Sequence, residues 1–233
     1  MNTTYKVPTK LVSDGMSNAK TKKNATKTMI LYLSPFTQNS QGRNLCPKAT
    51  AGCAAVCLNT AGRGQMSSVQ IARINRTEYF LAARKTFLAQ IAKEINNKAK
   101  RNDAVVVRLN GTSDVKLVEM LLDNHSIPQN VTFYDYTKIE RKAGNRTLPT
   151  GHRYVVTYSF SEAKESRSEA KKVLERGGNV AAVFRKELPK TFMGFPVVDG
   201  DASDIEMLEY QGVILGLKAK GKAKKDTSGF VID

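Results

Sequence analysis

Residues 104–138 read AVVVRLNGTSDVKLVEMLLDNHSIPQNVTFYDYTK. Ala104–Leu109 is a valine-dominated, β-prone run, too short for a helix, and reads as a buried strand. Val115–Asn124 has the spacing of a short helix, and Asp114 stands where an N-cap belongs. Val131–Tyr136 is β-branched and aromatic, a second strand. Strand, helix and strand in so short a stretch form a βαβ unit, whose strands must run parallel.

The same rhythm extends both ways. Towards the N-terminus, Met29–Leu33 is a short apolar strand ending in Ser34-Pro35. A long loop follows, residues 36–66, and loops of that length inside a compact domain are functional or disordered. Ser67 or Ser68 then opens one long predicted helix. Its apolar residues Ile71, Ile74, Leu81, Leu88, Ile91 and Ile95 recur at helical steps, and it closes on Lys98, Lys100 and Arg101. Residues 1–28 are polar and read as an extended arm with a short strand near Lys10–Val12. Towards the C-terminus, Arg153–Phe160, Val180–Phe184, Phe195–Val198 and Gly212–Leu217 are strands. Glu162–Gly177 is a helix closed by glycine. The expectation is an α/β protein with a mostly parallel sheet, one domain over 29–233 behind the arm. The chain is shorter than the ~250 residues of a full eight-fold barrel, so a partial or small TIM-like barrel, or an open sheet, fits.

The 233 residues carry a net charge of +16, and no tryptophan. That charge favours a polyanionic partner, DNA or RNA, because each neutralised phosphate releases counterions. Arg63, Arg73, Arg76, Lys218 and Lys220 are the candidate nucleic-acid contacts, with further lysines at 20, 22, 23 and 27 and at 222, 224 and 225. Arg73 and Arg76 share a helix face, and Lys218–Lys224 alternate as an extended edge would present them. No apolar run reaches the ~20 residues a membrane helix needs, and no signal-peptide pattern opens the chain, so a cytoplasmic location is expected.

All three cysteines lie in the loop, as Cys46-Pro-Lys-Ala-Thr-Ala-Gly-Cys53-Ala-Ala-Val-Cys57. An odd count inside twelve residues argues for ligands rather than disulfides. Three thiolates hold a [4Fe–4S] cluster at three irons and leave the fourth open. With a fourth ligand they make a zinc site, but His125 and His152 are the only histidines and neither lies at a short finger-like spacing. Polar residues also follow each predicted strand: Asn110, Thr112 and Asp114; Asp135, Thr137 and Lys138; Ser159, Ser161 and Glu162; Arg185 and Lys186; Asp199, Asp201 and Asp204. Parallel α/β folds bind ligands at that edge. Asp114, Asp135, Lys138, Asp199 and Asp201 are therefore the candidate catalytic groups.

The blocks Asn44-Leu-Cys46-Pro, Gly52-Cys53, Cys57-Leu-Asn59-Thr-Ala-Gly62-Arg63-Gly64, Arg108-Leu-Asn110, Ser113-Asp114, Tyr134-Asp135-Tyr136-Thr137-Lys138 and Val198-Asp199-Gly200-Asp201 resemble the phage "gene product eighty-eight" family. The resemblance covers nearly the whole chain and implies a phage origin, hence the cytoplasm of an infected host, but no reaction. A second resemblance is one of order. In radical S-adenosylmethionine enzymes a first strand runs into a three-cysteine loop and then a helix. It implies a [4Fe–4S] cluster with S-adenosylmethionine, held by Asn110 and Thr112 at the amine and by Ser159 and Glu162 at the ribose. The usual spacing is C-x3-C-x2-C with an aromatic before the last cysteine; here it is C-x6-C-x3-C and that residue is Val56. An alternative is a base-exchange or glycosidic-bond enzyme on DNA of the transglycosylase kind, which uses a barrel, a zinc site and two carboxylates; there Asp114, Asp135, Asp199 or Asp201 would be nucleophile and base. A non-enzymatic nucleic-acid-binding protein with a structural zinc loop needs only the charge and the cysteines.

Overall fold

A computed structural model describes residues 5–14, 27–203 and 205–233. Asp204, most of the arm, and the side chains of Lys20, Lys22, Lys23 and Lys27 lie outside the described residues. The strands are β1 (Val12–Asp14), β2 (Lys27–Leu31), β3 (Val105–Arg108), β4 (Val131–Thr137), β5 (Gly144–Thr147), β6 (Arg153–Ser159), β7 (Val180–Phe184), β8 (Thr191–Phe192), β9 (Phe195–Asp199), β10 (Ile214–Lys218) and β11 (Val231–Ile232). The helices are α1 (Ala51–Ala55), α2 (Ser67–Ala82), α3 (Arg84–Ala99), α4 (Leu117–Leu122) and α5 (Ser166–Glu175).

The strands form one sheet in the order β1-β2-β3-β4-β6-β7-β10-β9-β8, with β5 paired to β6 and β11 to β7. From β2 to β9 every pairing along this path is parallel. Only β1, β5 and β8 pair antiparallel. From β2 to β10 spatial order follows chain order, so each crossover steps the same way. The helices pack on one face, against Met29, Leu31, Val105, Val107, Phe133, Tyr154 and Val156, and α5 against Tyr158, Val180, Ala182 and Ile214. The other face carries Val106, Tyr134, Val155, Ala181 and Leu215 beneath Met207 and Leu208. The sheet is not closed: the order ends at β1 and β8, so the expected barrel is an open, mostly parallel sheet.

The long predicted helix is two helices. Ala83 leaves the helical region (φ −137°, ψ 56°) between α2 and α3. No residue there breaks a helix by propensity. Packing decides it, with Tyr79 and Phe80 each 5.4 Å from the ring of Phe87 across the break. Ile71 and Ile74, read as core, are 65% and 37% exposed. The inward face of α2 is mixed instead, Arg73 and Thr77 followed by Tyr79 and Phe80. Asp114 does not cap α4, whose N-cap position is Lys116 without a side-chain bond. The N-terminal segment is anchored where Glu94 of α3 accepts the backbone N–H groups of Leu11 and Val12 at 2.8 and 2.9 Å. Lys218–Lys224 is not one extended edge: β10 ends at Lys218, and Gly221–Lys225 is a 3-10 turn.

Candidate functional site

Because the long strands run parallel, their carboxyl ends share one edge, and the cysteine loop lies along it. The loop leaves β2 and is sewn to the segment after β3. The Gly111 N–H donates to the Leu31 carbonyl at 2.9 Å, and the Asp114 N–H to the Leu45 carbonyl at 2.8 Å. A Cβ on Gly111 would stand 2.6 Å from the Tyr32 ring and 2.7 Å from the Leu31 oxygen, so only glycine allows this approach. Thr112 donates its hydroxyl to the Leu33 carbonyl.

A second anchor comes from the end of β6. Glu162 accepts the Gly52 N–H at 2.7 Å and the Thr50 hydroxyl at 2.8 Å. Thr50 in turn accepts the Cys53 N–H at 3.2 Å. One carboxylate thus holds the first turn of α1, the helix that carries Cys53. A Cβ on Gly52 would lie 2.8 Å from the same carboxylate.

The three thiols are half-buried, and Cys53 and Cys57 lie near enough to Cys46 to act on its charge. Burial pushes Cys46 up to about 11, opposed by a Phe36 N–H bond and reinforced by the nearby Cys57 and Cys53. Burial also raises Cys53, against Lys138, and Cys57, against the Asn59 N–H and Arg73. Phe36 takes a left-handed φ of 53°, costly for a bulky residue, at the start of this loop. Among the described residues no group of three or more His, Cys, Asp or Glu side chains is gathered tightly enough to hold a metal ion as it stands. The cysteines are adjacent without being closed on one point.

Lys138 lies beneath them. Its ammonium donates to the carbonyl and hydroxyl of Ser159 at 3.2 Å and to the Phe160 carbonyl at 3.4 Å. Burial lowers its proton affinity, while Cys53, Glu162 and Asp114 raise it. Arg73 lies at the far end of the loop. Its guanidinium stands 4.9 Å from the centre of the Tyr32 ring and donates to the Asn59 side chain.

The other candidates have different employment. Asn110 is buried and spends its amide on Ser113, Val115 and Asp135, so it shapes its own loop rather than offering a hand to a ligand. Asp135 is buried on the helix-covered face, accepting from the Asn110 backbone, the Asn110 amide and the Tyr154 hydroxyl. Burial pushes its carboxyl up to about 6, against Arg108 and these three donors. Asp114 is ion-paired to Lys142 and accepts from Thr137 and the Lys138 backbone. Asp114 and Asp135 do line one small cavity with Asn110, Glu119 and Tyr154. Asp199 and Asp201 do not join them. They follow β9, four places along the sheet from β4, where Asp199 accepts the Asp201 N–H and Asp201 pairs with Lys220 at 2.7 Å.

Arg73 is 7% exposed and faces the loop, so a duplex lying on α2 would not meet it. Arg76 is half-buried. Arg63, Lys218, Lys220, Lys222, Lys224 and Lys225 are exposed. The lysine turn abuts the cysteine loop: Val56 packs on Ala219 and Ala223, and a Cβ on Gly221 would touch Ala61 at 3.4 Å. The sequence reading missed Phe36, Thr50, Gly52 and Tyr32. Only Gly52, beside Cys53, carried a signal that could have found it.

No curated protein and no solved structure matches the chain. The family model described as Gene product 88 matches residues 10–233. The resemblance carried by the cysteine block and the strand-end motifs is thereby borne out, and the chain belongs to the Gene product 88 family.

Proposed function

We propose that Cys46, Cys53 and Cys57 hold a metal centre, a [4Fe–4S] cluster, in an enzyme of radical S-adenosylmethionine type that acts on a nucleic acid or nucleotide. The observation that carries this reading is the placement of all three cysteines as neighbours over the carboxyl ends of parallel strands, in a loop pinned at both its ends. The donor set fits the group. Three crowded, desolvated thiols are poor company for one another, and a bound cation would reverse that by stabilising their thiolates. Such a cluster supplies an open iron and single electrons to the cofactor.

The chain's own residues do the rest. Glu162 and Thr50 hold α1 and so orient Cys53. The Asn110–Asp114 segment holds Leu45 and so orients Cys46. The strand order, with helices on one face only, supports a barrel left open, whose carboxyl edge would receive the substrate. The exposed lysines of Gly221–Lys225 border the loop and suit a polyanion. The paired-aspartate alternative loses its residues to structural duties: Asp135 is buried under three donors, and Asp114 is ion-paired.

The test is the electron paramagnetic resonance spectrum of reduced, cluster-loaded protein with and without S-adenosylmethionine. A changed spectrum is expected if the cofactor meets an open iron. An unchanged spectrum in loaded protein would contradict the cofactor assignment.

A further inference from the structure

Two cations flank the cysteine loop outside any ion pair, Arg73 buried and Lys138 half-buried. The ammonium of Lys138 directly contacts neutral groups, the Ser159 carbonyl and hydroxyl, the Phe160 carbonyl, and the face of Phe230 at 5.1 Å, while Glu162 and Asp114 act on it from beyond ion-pair distance. The guanidinium of Arg73 meets the ring of Tyr32 and the amide oxygen of Asn59, and its Nε is buried without a hydrogen-bond partner. Among the described residues neither takes part in an ion pair within 4.0 Å. The nearby carboxylates are engaged elsewhere, Glu162 on α1 and Asp114 on Lys142. Both cations also lie beside the cysteines: Arg73 is bonded to Asn59, whose N–H donates to the Cys57 sulfur at 3.5 Å, and Lys138 acts on Cys53 and Cys46. Neutral thiols offer a buried cation nothing, and buried charge persists only where something offsets it.

We propose that the cysteine site is built for an occupant of net negative charge, a metal centre held by three thiolates, with Arg73 and Lys138 as its two counter-charges. This rests on the metal reading above and adds the sign of the charge and the residues that neutralise it. Three thiolates outweigh a divalent ion or a doubly positive cluster core, so the loaded centre is an anion on either choice of metal. Arg73 and Lys138 touch no reacting atom in this account. They are positioning residues that act through the charge of the centre.

The inference has a two-sided signature. Removing either charge should weaken the loaded state and should not weaken the empty one, because the empty protein holds both cations away from water and outside any ion pair. The experiment titrates reduced, metal-free protein with cobalt(II) alone under anaerobic conditions and follows the thiolate-to-cobalt band, with thermal unfolding of each metal-free protein alongside. Arg73→Met and Lys138→Met should each lose affinity by about 10–100-fold, the usual scale for a group just outside the ligands. Arg73→Lys should keep most of it, and the metal-free Met variants should melt no lower than the parent. Met variants that bind cobalt as tightly as the parent would overturn the inference, as would an Arg73→Lys variant as weak as Arg73→Met. If Lys138→Met does not fold, the Arg73 pair alone decides by the same comparison. A parent protein that binds no cobalt through its cysteines overturns the metal reading itself, a failure distinct from a counter-charge failure.

Discussion

Asp135 is a buried carboxyl group held above its ordinary range. It sits on β4 beneath the helices, and three donors converge on its carboxyl group. Desolvation nevertheless outweighs them and Arg108, and lifts it from 3.8 to about 6. A folded-state value above the unfolded one means the folded protein holds this proton more tightly. The resulting stability is fully present below the unfolded value and is lost as pH rises through about 6. The protonated acid can be accommodated, because the Tyr154 hydroxyl can turn from donor to acceptor. Lowering the pH from about 7 to about 4 should therefore stabilise the parent relative to Asp135→Asn by up to about 3 kcal/mol, read from denaturant midpoints of both proteins. A difference between the two that stays constant across that range would contradict the buried, raised carboxyl.

Among the elements, α1 has the least support of its own. Five residues cannot sustain a helix in water, so its position is set from outside. Glu162 supplies that support across more than a hundred residues of sequence, which is why neither Glu162 nor Thr50 could be read as its anchor from the chain alone. Asp114 fails as a helix cap for a related reason, since its carboxylate is claimed by Thr137 and Lys142 from other elements. Short-range rules lost at both places to contacts made by the fold. The strands themselves were legible, because β-branched runs such as Val105–Val107 and Val131–Phe133 need no distant partner to be recognised. The antiparallel additions β5 and β8 were not: Gly144–Thr147 and Thr191–Phe192 have neither length nor apolar alternation. Glu162→Ala should release α1 and reduce metal affinity by about 10–100-fold. Its cost in global stability should be only about 1–3 kcal/mol, for two lost hydrogen bonds to a carboxylate. Competition with a chelator and denaturant unfolding measure the two quantities. Unchanged affinity in the variant would detach Glu162 from the site.

For the whole molecule, the sheet gathers onto one edge what the sequence scatters: the cysteine loop, Lys138, Glu162 and the exposed lysines of Gly221–Lys225. Parallel strands account for this, since the residue after each strand emerges on the same side. That logic made it readable in advance that the cysteine loop and the strand ends share one edge. It overreached for Asp199 and Asp201, because a shared edge is long and β9 lies far along it. It could not reveal that Arg73 turns inward, since a charged residue on the inner face of α2 has no signature in helical periodicity. The net charge of +16 belongs to this scale too. Binding of short DNA and RNA strands should weaken steeply from low to physiological salt. Changing Lys222, Lys224 and Lys225 to Ala should lessen that slope by about 0.9 for each duplex phosphate no longer neutralised. A flat salt dependence would point to a small-molecule substrate instead.

The metal centre proposed at the carboxyl edge is tested most directly by the iron, zinc and acid-labile sulfide content of anaerobically purified protein. The comparison is a variant in which Cys46, Cys53 and Cys57 are all alanine. Brown parent protein is expected, with about four irons and as many sulfides per chain, and neither should remain in the variant. Colourless parent protein without iron or zinc, or a variant that keeps the metal, would contradict a centre shared by the three cysteines.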